Sequence, residues 1–111
     1  RMIVRTAAET PERTRADGVV MRDFFGDAVP AGPGVSMGHA SFPPGCVVPP
    51  ASHTGDEYAY VLKGCMTCES AGVVHRMHAG EASFIPAGEE HTSRNETDEE
   101  AVVVWMLIER P

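Results

Sequence analysis

A chain of 111 residues, 42% apolar and 23% charged, suffices for one hydrophobic core and is too short for two. Its net charge of −7, with lysine and arginine unclustered, argues against a nucleic-acid or anionic-membrane surface. There is no bilayer-length apolar run, no secretory-type N-terminus and an odd count of three cysteines, so a cytoplasmic protein with reduced thiols is expected.

In chain order, Thr6–Arg15 is mildly helical and is limited by Pro11. Gly18–Phe25 reads as a strand, followed by a Gly/Pro-rich loop, Gly26–Gly34. Val35–Phe42 alternates like a strand and stops at Pro43-Pro44-Gly45. Tyr58–Leu62 runs through Lys63-Gly64 into Cys65–Cys68; Ser70-Ala71-Gly72 is a hairpin turn, with Val73–Met77 returning. Ala79-Gly80-Glu81 turns again, before the run Ala82–Ile85 and the loop Pro86-Ala87-Gly88. The last run, Ala101–Ile108, is apolar throughout and fits a strand buried on both faces. Short strands punctuated by Gly/Pro turns, with no long amphipathic helix, specify an all-β sandwich or barrel.

Strand parity assigns faces. His39 points away from the inward Ala40 and Phe42, and Tyr58 and Tyr60 share a face opposite Glu57. Ser83 and Ile85 point inward together as pocket residues. Met37, Met66, Met77 and Met106 fill core gaps or line an adaptable pocket. Glu89-Glu90 and Glu99-Glu100 read as solvated turns. Cys65 and Cys68, with His75 and His78 close behind, invite a zinc or redox reading. Residues three apart on a strand face opposite ways, so hairpin cysteines and surface histidines are expected instead.

Two segments carry the chemistry, GCVVPPASHTGDEYAYVLKG over 45–64 and GEASFIPAGEEHTSRN over 80–95. His53 and, after a short turn, Glu57 can face one interior, and His91 follows a Pro-x-Gly turn. Two imidazoles and a carboxylate make a 2-His-1-carboxylate set, suited to Fe(II), Mn, Ni, Zn or Cu. The other reading of the same residues is a metal-free ligand pocket.

These segments resemble the two cupin motifs. Gly45, His53, Glu57 and Gly64 fall in register with G-x5-H-x-H-x3–4-E-x6-G, and Gly80, Pro86, Gly88, His91 and Asn95 match G-x5-P-x-G-x2-H-x3-N. Ala51 stands where the first motif has a histidine, leaving three of four ligand positions. The resemblance implies a cupin-type antiparallel β-jelly-roll barrel: one domain over 1–111, with an N-terminal arm over 1–17 and a barrel core over 35–108. It also implies a divalent transition metal ion on His53, Glu57 and His91, Glu57 as the catalytic group, and a substrate pocket including Ala51, Ser83 and Ile85. The function expected is a dioxygenase-like oxidoreductase acting on a small organic molecule, or a lyase, isomerase or cyclase using the metal as Lewis acid. The alternative is a non-catalytic sensor or storage module. The resemblance further implies a homodimer, paired through the last strand and the N-terminal segment, while the acidic charge implies no nucleic-acid or membrane partner.

Overall fold

The computed structural model describes residues 1–26 and 34–110; most of the expected loop Gly26–Gly34, residues 27–33, lies outside the described residues. The strands are β1 (Arg13–Thr14), β2 (Val20–Phe25), β3 (Val35–Phe42), β4 (Val47–Ala51), β5 (Gly55–Lys63), β6 (Cys65–Ser70), β7 (Val73–His78), β8 (Ala82–Ile85), β9 (His91–Arg94) and β10 (Ala101–Glu109). All pairings are antiparallel, in a six-stranded sheet β1-β2-β3-β10-β5-β8 and a four-stranded sheet β4-β9-β6-β7. The fold is the all-β jelly roll.

The helical tendency of Thr6–Arg15 is not realised. The Thr10 amide and hydroxyl both donate to the Thr6 carbonyl, at 3.1 and 2.7 Å, closing one turn. Pro11 has no N–H to extend it, and Arg13 and Thr14 instead pair with Met21 and Val20. The turn after β6 is as expected: Ala71 and Gly72 both have positive φ, 51° and 77°, the twist that suits a two-residue hairpin loop. Gly64 also requires its lack of a side chain. A Cβ there would lie 2.7 Å from the Glu100 carbonyl oxygen, where β10 enters the sheet.

The core lies between the sheets. Val61, Ala101 and Val103 of the larger sheet close on Met66 of the smaller one. A second cluster joins Val19, Met21, Ala40 and Cys46, and Phe42 packs against both. Asn95, 1% exposed, ties the β9–β10 loop to β3. Its Nδ2 donates to the carbonyls of Phe42 (2.9 Å) and Glu99 (2.7 Å), while its Oδ1 accepts from the Thr97 amide and hydroxyl.

Strand β10 departs from the sequence expectation of burial on both faces. Ala101, Val102 and Val103 are buried, but further along Val104 and Met106 are half-buried and Ile108 is exposed. Their neighbours on the outer face of the sheet, Tyr58, Tyr60, Leu62 and Phe84, are exposed too. The apolar outer face of the strand thus has no counterpart within the described chain.

Candidate metal centre

The site is built where β4 ends, β5 begins and β9 begins. Strand β4 carries Pro49 and Pro50, which cannot donate to a ladder, and it accordingly occupies an edge of the smaller sheet. The register slips between Val48 and Ala51, and pairing resumes with Ala51 opposite His91. His53 follows in the turn to β5, and Glu57 is the third residue of that strand, paired with Leu107 on one side and Ile85 on the other.

Two backbone-directed hydrogen bonds join the motif segments. The Gly88 amide donates to the His53 carbonyl at 2.8 Å. The Ala87 amide donates to Asp56 Oδ1 at 2.9 Å, an atom that also accepts from Arg110 Nε at 2.9 Å. The Ala87 N–H, with Arg110, holds the Asp56 carboxyl below the usual carboxylate range. Asp56, which thereby ties the two motif segments together, is a residue the sequence reading missed. Its only sequence signal was its place beside Glu57, on the opposite strand face.

His53 Nε2 lies 3.3 Å from Glu57 Oε1, and the His53 and His91 ring centroids are 5.1 Å apart. One ligand atom from each of His53, Glu57 and His91 falls within a mutual 4.8 Å. With bonds of about 2.1 Å, ligands of one ion stand about 3.0 Å apart at a right angle and about 3.4 Å apart at the tetrahedral angle. The His53–Glu57 separation falls in that interval. His91 is 9% exposed, and its Nδ1 lies 3.1 Å from the Glu89 carbonyl oxygen. A carbonyl can only accept, so Nδ1 carries the proton and Nε2 keeps the lone pair a cation needs. The donor set therefore fits a divalent transition metal.

Glu89 corrects the reading of Glu89-Glu90 as a solvated turn. Glu89 is half-buried, its carboxylate accepts from Ser70 Oγ at 2.6 Å, and its carbonyl faces His91. Ser70 Oγ also reaches the Glu90 carbonyl at 2.9 Å. Nothing in a Glu-Glu pair signals this, because the contact depends on Ser70 standing opposite His91 in the sheet.

A cavity of about 690 Å3 opens from these residues into the barrel. Ala51, Ser83 and Ile85 line it together with His53, Glu57 and His91. Met66 and Met77 line it too, whereas Met37 and Met106 pair with each other in the larger sheet and do not. His39 does not line the cavity; its ring lies 6.3 Å from that of Phe24. Cys68 faces the cavity, with Sγ 3.4 Å from Ser93 Oγ, and burial pushes its thiol up. Cys65 is not in the lining, so the two cysteines do separate as parity requires.

A family model described as "Cupin domain" matches residues 38–107. Among curated proteins none matches the sequence. The fold is similar to that of a protein described as a predicted oxalate decarboxylase from Thermotoga maritima. The two are 21% identical with a TM-score of 0.86, and the match covers 98% of this chain and 100% of that one. It is also similar to the cupin domain of Schizosaccharomyces pombe Cnp3, at 14% identity and TM-score 0.84, covering 99% of this chain and 76% of that one. KdgF from Halomonas sp. follows at 21% identity and TM-score 0.76, covering 95% and 92%. At these identities the structural likeness speaks for the fold alone.

Proposed function

The chain belongs to the cupin family, and we propose that it is a metal-dependent enzyme acting on a small organic molecule. The observation that carries this reading is the convergence of His53, Glu57 and His91 within 4.8 Å, beside a cavity of about 690 Å3. His53 and His91 would bind through imidazole nitrogen and Glu57 through a carboxylate oxygen. Such an ion supplies Lewis acidity or one-electron chemistry. Ala51 contributes no ligand, which leaves more of the coordination sphere to substrate.

The reaction class favoured is a dioxygenase-like oxidation, because a 2-His-1-carboxylate set with open positions is the non-haem iron arrangement. A lyase, isomerase or cyclase uses the same residues without redox change. Glu57 is assigned the catalytic role. It is the one carboxylate in the set, and when not holding a metal its oxygen can take a proton. Ala51, Ser83 and Ile85 form part of the substrate pocket.

Elemental analysis of the purified protein, then metal titration, tests the reading. Near one equivalent of Fe, Mn, Ni, Zn or Cu per chain supports it. A metal-free protein that retains a tightly held organic ligand and rejects added metal overturns it, in favour of a non-catalytic sensor or storage module. A homodimer is proposed with it, supported by the apolar outer face around β10. An equilibrium sedimentation mass of one chain at micromolar concentration would refute the dimer. No helix among the described residues is long and apolar enough to cross a membrane. With three free cysteines, a cytoplasmic setting is the proposed one.

A further inference from the structure

The inner face of the larger sheet carries an uneven row. Gly38, Trp105, Ala59 and Ser83 are consecutive partners across β3, β10, β5 and β8. The indole leans to the Gly38 side: a Cβ on Gly38 would fall 2.5 Å from Trp105 Cζ2 and 2.8 Å from Cε2. On its other side stand a methyl and a hydroxymethyl group, both lining the cavity. One large flat ring displaced over a glycine, beside two small side chains, leaves a slot bounded by the indole.

The next inner row along the same strands is Leu107, Glu57 and Ile85. The slot therefore lies two residues from a metal-site carboxylate, about 7 Å at the rise of a strand. That distance spans a small molecule whose one end is at the ligands and whose other end is over Ala59. Beyond Gly38 the row continues to Asp23 of β2, which is paired with Arg13, and the partners on the slot side of the indole, Ala59 and Ser83, are uncharged. Of the two arginines lining the cavity, Arg15 is paired with Asp17 and Arg76 is exposed.

We propose that the slot formed by Trp105, Ala59 and Ser83 receives a planar apolar group, so that the ligand of this site is a ring-bearing small molecule with a metal-binding head. The assignment of the head rests on the metal reading above; the assignment of the ring does not. An aromatic ring against an indole gains both apolar burial and oriented ring contact, whereas a methyl group gains little.

The test uses benzohydroxamate and acetohydroxamate, which share a chelating head and differ as phenyl and methyl. Trp105 is the single tryptophan, so its fluorescence reports on the slot directly. Both probes are titrated into the protein with and without Zn2+. Benzohydroxamate is expected to bind about tenfold tighter than acetohydroxamate and to change Trp105 emission. Ala59→Phe should bring that ratio near one while Zn2+ affinity is kept. Ser83→Leu, at the sheet edge, provides the same readout should the first variant not fold, as judged by circular dichroism. Equal affinities in the unmodified protein, or a ratio that survives substitution in a folded variant, overturn the slot. If Zn2+ strengthens neither probe but the ratio persists, the metal reading fails and the slot stands. A ratio of one with Zn2+-dependent binding is the converse.

Discussion

Two stretches of this chain carry metal-capable side chains at short spacing, and only one brings them together. His53 and Glu57 are four residues apart, and their side-chain atoms come to 3.3 Å. Cys65 and Cys68 are three apart, yet only Cys68 faces the cavity. The difference is a turn. Between His53 and Glu57 the chain passes from the smaller sheet, after β4, into β5 of the larger one, which resets the direction of each side chain. Cys65 and Cys68 lie within one unbroken strand, where parity divides them. Strand β7 repeats the division, because Cys65 pairs with His78 and Cys68 with His75. Spacing in sequence becomes geometry only through the element that carries it.

Removing His91 should produce the largest effect of any single change. His91→Ala takes away a nearly buried proposed ligand with a fixed tautomer, and metal affinity should fall by at least about 100-fold by calorimetry. The double change Cys65→Ser with His78→Ala, made in the other stretch, should leave affinity unchanged. Should both variants lose metal equally, the contrast between the stretches is wrong. Next in size is Ala51→His, expected to tighten binding about tenfold by adding an imidazole in the register position opposite His91. An unchanged affinity there would mean that position 51 does not look onto the ion.

Much of this contrast was legible in the sequence. The pattern of short strands and Gly/Pro turns yields the all-β class, and parity alone separates Cys65 from Cys68. The convergence of His53, Glu57 and His91 follows from their spacing around two turns. What could not be read is the support behind it. Asp56 and Glu89 act through the Ala87 amide and the Ser70 hydroxyl, 31 and 19 residues away in the chain. Local pattern carries no trace of such pairings. The outer half of β10 failed for a related reason: an apolar run states what must be buried, and not whether its own chain supplies the cover.

The cysteines sharpen the comparison through a smaller effect. Alkylation proceeds through the thiolate, and burial pushes the Cys68 thiol up, so less thiolate exists at pH 8. Peptide mapping after brief iodoacetamide treatment should find Cys65 modified several-fold faster than Cys68. Raising the pH should speed Cys68 itself, because each unit brings about tenfold more thiolate while its thiol is still mostly protonated. Faster modification of Cys68 would mean that the cavity wall is not as drawn.

The smallest expected effect links the two stretches. The hairpin's cysteines and histidines are not in the ligand trio, but its last β6 residue, Ser70, donates to Glu89 and stands opposite His91. The Glu89 carbonyl in turn accepts from His91 Nδ1 and so keeps Nε2 free. Ser70→Ala should loosen that carbonyl without removing any ligand, lowering metal affinity by a few-fold, below the about 10- to 100-fold typical when a ligand's direct outer partner is lost. The conservative Ser70→Thr, which keeps the hydroxyl, should restore part of the loss. Equal losses in both variants would point to packing at position 70 rather than to the hydrogen bond. The hairpin would then be a wall of the site and no part of its tuning.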